Sequence, residues 1–363
     1  MKRLLHGFLH LQQSGLIIVI LLLGALLTVF AGSHIDRATG YRVNNFLNPY
    51  TLTQTATDAS FFAIMAIGVT MVIISGGIDL SVGSIYALSG VGTAMLLRAF
   101  GPLEGNIAVV AGILFSLGIG LICGLLNGLM VVGLRVHPFI ITLGTMWVFR
   151  GIAFVTSKAE SILVPSSLTA VTKNSLGISS SVYFVPTIIM IAITILGELY
   201  LSRTVMGRNI YAIGGNREAA RYCGLRIGRS LMSVYALSGL TAGIAAFIGS
   251  SFYGSASCAD ATGYELYVIA AAVVGGASLA GGRGSALSAM LGATLIVLIR
   301  QSIRTLHFDQ NYEWIIIGSA IIIAVVLDRI NAQLSTRRMA RAAVRDEADS
   351  QRSIDEDETE SDD

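Results

Sequence analysis

The sequence predicts an all-α fold, a polytopic membrane bundle of about ten transmembrane helices. Three observations point there. Charged residues make up 13% and hydrophobic residues 54% of the 363, whereas a soluble domain carries about 25% charged residues. The mean hydropathy is +0.73, and the apolar residues fall in long unbroken runs. Forty glycines against five prolines suit helices that pack closely through small residues.

A spanning helix needs about 20 mainly apolar residues. Ten segments qualify: 14–32, 59–76, 83–100, 107–133, 139–156, 182–201, 231–252, 265–280, 285–302 and 312–330. The first follows Lys2 and Arg3 and has no small-residue cleavage site behind it, so it reads as a retained helix. The eighth and ninth are short and are separated by a glycine-rich break.

Orientation follows from Lys and Arg in short loops. The loop 202–230 carries Arg203, Arg208, Arg217, Arg221, Arg226 and Arg229 against one acid, Glu218. The C-terminal stretch adds Arg329, Arg337, Arg338, Arg341 and Arg345. Loops on the other side carry fewer positives, and some are offset: Arg37 by Asp36, Lys158 by Glu160. Both termini are therefore expected in the cytoplasm. The chain divides into a transmembrane part, 1–330, with the cytoplasmic loop 202–230, and a tail, 331–363. The tail starts basic. Its last stretch, 346–363, holds 10 of the 22 acidic residues and no aromatics. Such a segment cannot bury a core and is expected to be disordered.

The stretch Ser75–Ser89 reads SGGIDLSVGSIYALS and stands between two apolar runs. Gly76, Gly77 and Gly83 break the helical pattern. Asp79 is a charge at depth, which costs at least ~2.5 kcal/mol. An Asp accepts a backbone N–H two or three residues on, so Asp79 is expected to N-cap a helix starting at Ser81 or Gly83. A second, compatible role has Asp79 and Ser81 bordering the path or gate. The run Gly76-Gly77-Ile78-Asp79-Leu80 with Gly83-Ser84 is echoed by Gly275-Gly276-Ala277-Ser278-Leu279 with Gly284-Ser285. Glycine breaks at matching places in two halves point to a transport path. Chance similarity between glycine-rich segments produces the same pattern.

In Val205–Arg229, Gly214-Gly215 breaks the chain and Asn216 is a good N-cap. Arg217–Cys223 makes about two turns, and Gly224 sits where a left-handed cap belongs. This short charged helix is either a docking element or a solvated connector lying on anionic lipid. On the outer face, Tyr264 and Glu265 are candidates, and Glu265 opens the eighth helix where an acid suits the dipole. Arg150 either snorkels to the interface or pairs with a carboxylate inside the bundle.

Several chemistries have no residues to carry them. A phosphate loop needs Gly-x-x-x-x-Gly-Lys-Ser/Thr, and none of the three lysines, Lys2, Lys158 and Lys173, fits. Cys123, Cys223 and Cys258 have neither metal nor disulfide spacing and read as packing residues. His6, His10, His34, His137 and His307 show no metal pattern. No catalytic residue, metal site, cofactor or nucleic-acid interface is expected.

Four motifs in order carry a resemblance. They are SGGIDLSVGS (Ser75–Ser84), HPFIITLGTMWVFRG (His137–Gly151), GRNIYAIGGNREAARYCGL (Gly207–Leu225) and TGYELYVIAAAVVGGASLAGGRGS (Thr262–Ser285). From about Asn45 to Arg329 the chain resembles the permease subunits of ATP-binding-cassette sugar importers of the ribose/xylose/galactose type. The resemblance implies a bacterial inner-membrane protein paired with a second permease copy, identical or a sister chain. It also implies two cytoplasmic ATP-binding subunits and an extracytoplasmic sugar-binding protein. Asn216, Arg217, Glu218, Ala219, Ala220, Arg221 and Gly224 would then form the coupling helix on the ATPase, with Gly207–Gly215 passing its motion inward. The tail 336–363 departs from the family. An ion-driven secondary transporter is the alternative; it needs paired buried ionisable residues, for which Asp79 and Arg150 are the candidates. Within the importer class, the cargo could instead be a nucleoside, a polyol or an amino acid.

Overall fold

A computed structural model gives the architecture. It describes residues 2–35, 40–100, 105–174, 183–320, 322–323 and 326, with side chains from 13 onward. The tail 331–363 lies outside the described residues. Among those described, eight helices are long and apolar enough to cross a membrane. They are α1 (Lys2–Phe30), α2 (Pro49–Ile74), α3 (Val82–Ala99), α4 (Gly105–Leu134), α5 (Pro138–Ser157), α7 (Val185–Arg203), α10 (Ile227–Tyr253) and α12 (Ala286–Thr305). Shorter helices are α6 (Ser166–Thr172), α8 (Val205–Gly215), α9 (Arg217–Tyr222) and α11 (Tyr264–Val274). Residues 312–320 are helical as well.

Two expectations change. The second helix starts at Pro49, ten residues before the apolar run, because Asn48 accepts the Thr51 N–H at 2.8 Å and proline suits the first helical position. The eighth segment stops at Val274 after 11 residues, about 16 Å of rise, too short to cross about 30 Å of hydrocarbon.

Two small antiparallel pairs complete the chain: β1 (Ser33–Ile35) with β2 (Arg42–Asn44), and β3 (Ile162–Leu163) with β4 (Ser255–Ala256). The core centres on α2, buried along most of its length against α7, α10, α11 and α12. Helices α4 and α10 meet backbone to backbone. A Cβ on Gly120 would lie 2.4 Å from Gly239 O, and one on Gly124 2.3 Å from Tyr235 O. Only glycine permits that approach, so the small residues fix the crossing. Large apolar side chains such as Leu21, Val29, Trp147, Val155 and Leu196 point outward, a surface suited to acyl chains.

Candidate functional site

The first break begins at the end of α2. Gly76 takes φ +82°, which glycine adopts without strain. Its N–H then reaches Ile73 O at 2.9 Å, and the Gly77 N–H reaches Val72 O at 3.0 Å. Two carbonyls left open by the helix end are thereby satisfied. The chain runs non-helically to Ser81 before α3 starts.

Asp79 is wholly buried. Its Oδ1 accepts from the Ser81 N–H at 2.9 Å and the Ser81 hydroxyl at 2.6 Å. Its Oδ2 accepts from the Ser238 hydroxyl of α10 at 2.7 Å. From α4, the Asn127 amide donates to Ser81 Oγ at 2.7 Å. Asp79 thus ties the break to α10 directly and, through Ser81, to α4. The expected N-cap role is corrected: Ser81 occupies the cap position of α3. Asp79 folds the turn before it, because its acceptor is spent on an N–H only two residues on.

The second break repeats the cap. Gly276 takes φ +99°, its N–H reaches Val273 O at 2.8 Å, and the Ala277 N–H reaches Ala272 O at 2.9 Å. The cap geometry is repeated one residue out of register with the sequence echo: Gly276, which the echo sets against Gly77, takes the place of Gly76, and Ala277 that of Gly77.

Gly83 joins the first break to the turn before α11. A Cβ there would lie 2.5 Å from Glu265 Oε2 and 2.6 Å from Ala261 O. Arg150 of α5 grips the same turn. Its guanidinium donates to the carbonyls of Cys258 at 2.8 Å, Asp260 at 2.6 Å and Ala261 at 3.3 Å. Neither sequence reading of Arg150 had named backbone carbonyls as its partners. Asp260 accepts the Ser257 N–H at 2.8 Å. Burial pushes its carboxyl above the usual range, opposed by that N–H and by the charge of Arg150. Tyr264 stands in an aromatic cluster, with Phe62 at 4.4 Å, Tyr86 at 6.3 Å and Tyr267 at 6.4 Å between ring centres.

Sequence reasoning missed Asn127 and Ser238, whose partners are distant in the chain. It also missed two ion pairs, Arg300 with Glu313 at 2.7 Å and Arg304 with Asp58 at 3.4 Å. Asp79 and Arg150 are therefore not the sole ionisable candidates. The one-turn spacing of Arg300 and Arg304 was the available signal. Among the cysteines, Cys123 and Cys258 are buried and Cys223 is exposed.

Between α7 and α10 lies the basic segment. Helix α8 begins at Thr204, whose hydroxyl accepts the Gly207 N–H at 3.0 Å. Helix α9 begins at Asn216, whose Oδ1 accepts the Ala219 N–H at 2.9 Å. It ends on Gly224 at φ +76°. Glu218 in its first turn and Arg221 in its last complement the helix dipole. Asn216, Arg217, Glu218, Ala219, Arg221 and Gly224 are exposed; Ala220 is buried against its own chain.

The chain matches the family described as the permease component of branched-chain amino acid transport systems, over residues 51–326. It belongs to that permease family. The permease is 36% identical over 287 residues to the D-allose transport system permease protein of Escherichia coli, covering 78% of this chain and 85% of that one. It is 34% identical over 289 residues to the ribose import permease protein of Escherichia coli, at 79% and 86% coverage. With the fructose import permease protein of Rhizobium meliloti it shares 31% identity over 332 residues, at 90% and 88%. The permease is a multi-pass membrane protein and a transporter subunit.

Proposed function

We propose that this permease forms the membrane path of an ATP-binding-cassette importer for a monosaccharide of the ribose type. The names of its relatives support the cargo class. So does Asp79: both its oxygens are taken by protein donors, which leaves the first break no free charge for an ion and suits a neutral cargo. A sugar-binding protein delivers the cargo to the outer mouth, and two separate cytoplasmic subunits hydrolyse ATP. The permease needs no cofactor of its own. It sits in a bacterial inner membrane with both termini in the cytoplasm, as a homodimer or with a sister permease. Gly76, Gly77, Asp79, Ser81, Gly83, Gly275 and Gly276 shape the path, and Tyr264 and Glu265 border its outer half.

The observation that carries the coupling role is α9, a capped, charged helix whose polar side chains are all exposed. Its fixed ends make it a rigid part to push on, and Glu218 and Arg221 are its contacts with the ATPase. Glu218→Lys or Arg221→Glu is expected to lower both uptake and ATPase stimulation in proteoliposomes while the protein still accumulates. Normal stimulation in both variants removes the assignment. An ion-driven mechanism is the second reading, favoured by the half-buried pair Arg300–Glu313. Uptake of labelled D-ribose, D-allose or D-fructose that requires ATP, the ATPase and the binding protein supports the importer. Uptake by the permease alone under a proton or sodium gradient overturns it.

A further inference from the structure

We infer that Gly214 and Tyr211 of α8 form a joint that moves both helix breaks together, so that they are positioning residues for transport. The inference rests on the coupling role proposed for α9.

Three backbones meet at this point. The Gly282 N–H donates to Ile74 O at 2.8 Å, so the second break is already bonded to the last residue of α2. Gly214 lies against that bond. A Cβ on Gly214 would stand 1.7 Å from Ile74 O and 2.7 Å from Gly282 N. In return, a Cβ on Gly281 would meet Gly214 O at 2.6 Å. One turn earlier in α8, the Tyr211 hydroxyl donates to Gly284 O at 2.7 Å. Gly284, at φ +144°, itself lies against the Ile74 side chain.

Ile74 is followed directly by the cap of the first break. Gly284 directly precedes the cap of α12. A contact made of main-chain atoms has no flexible side chain to absorb a displacement, and packed interfaces switch between arrangements rather than deform. Motion of α9 reaches α8 through Asn216 and must then shift Ile74 and the stretch Gly281–Gly284 as one unit. Gly215, the next residue, has open space where its Cβ would be. It supplies a control that differs by one position.

The test uses the permease assembled with its ATPase and binding protein in proteoliposomes. The readouts are assembly by size exclusion, the ratio of stimulated to basal ATPase activity, and uptake of labelled D-ribose. Gly214→Ala is expected to lower uptake about tenfold, and Tyr211→Phe, which only removes a hydroxyl, to lower uptake and the stimulation ratio about threefold. Gly215→Ala is expected to stay near wild type in both. If Gly214→Ala fails to assemble, Tyr211→Phe decides. The joint is overturned if Tyr211→Phe keeps both readouts, or if Gly215→Ala does as much damage as Gly214→Ala. Loss of stimulation in the Glu218 and Arg221 variants with none in Tyr211→Phe sinks the joint and keeps α9 as the docking element. The reverse pattern keeps Tyr211 and Gly214 as positioning residues and removes α9 as the part that drives them.

Discussion

Compare the break after α2 with the break after α11. Both end a helix on a left-handed glycine with the same pair of backbone bonds. What closes them differs. Side chains seal the first break: Asp79, Ser81, Asn127 and Ser238 link it to α4 and α10. Backbone contact seals most of the second, through Gly281, Gly282 and Gly284 against Ile74 and α8, with the Tyr211 hydroxyl on Gly284 O as a side-chain bond. The first should therefore respond chiefly to changes in polarity, and the second to changes in volume, apart from the one bond from Tyr211.

The largest expected effect is at Asp79. Asp79→Ala leaves the Ser81 N–H, the Ser81 hydroxyl and the Ser238 hydroxyl without their acceptor in a buried site. Each hydrogen bond to a charged group contributes ~1.5–3 kcal/mol. The loss should appear as a large drop in melting temperature and poor assembly in detergent. Ser278→Ala, at the position that the sequence echo sets against Asp79, removes only a neutral hydroxyl and should cost about 1 kcal/mol or less. Equal losses at the two positions would break the comparison. An Asp79→Ala protein that melts and assembles normally yet fails to transport would make Asp79 a gate residue.

Next in size is Arg150, which holds the turn that meets the first break at Gly83. Arg150→Leu takes the donor from the Cys258 and Asp260 carbonyls and leaves Ala261 O with the Tyr264 N–H, and it should lower uptake and speed proteolysis near Ser257–Gly263. Arg150→Lys should recover part of the loss, because an ammonium carries the charge but cannot fork across several carbonyls. If Lys restores nothing, the grip on the carbonyls is not the role of this side chain.

The long spans were legible because an unbroken apolar run of that length has one stable use in a membrane protein. Helix α11 was misread because the apolar run continues past Gly275 and Gly276, where the cap ends the helix. Helix α8 was hidden because its outer face is polar and its end is two glycines. Its buried Gly207, Ile210 and Ile213, spaced three apart, were the signal. At the first break, the bond from Asp79 to Ser81 could be read, since local spacing dictates it. The bonds to Ser238 and Asn127 could not, because they depend on how α10 and α4 cross. The glycines at the joint were visible as breaks only. Their contact with Ile74 is a product of tertiary packing.

The smallest effect sharpens the comparison by asking what a carboxylate does where no network surrounds it. Asp79 has three protein donors; Asp260, in the turn held by Arg150, has one N–H and a nearby charge. Burial raises the Asp260 carboxyl above its ordinary value. A raised acid contributes stability that is fully present below the unfolded value, ~3.9, and is lost as pH rises through the folded value. Asn at this position stays neutral at every pH. The melting temperature of Asp260→Asn relative to wild type should therefore climb as pH rises above about 4, by roughly 2 °C at most. The gain is small because the Ser257 N–H and Arg150 recover part of the cost. A difference that falls with rising pH would mean that the charge of Arg150 outweighs desolvation. The ionised Asp260 would then brace the turn, much as Asp79 braces the first break.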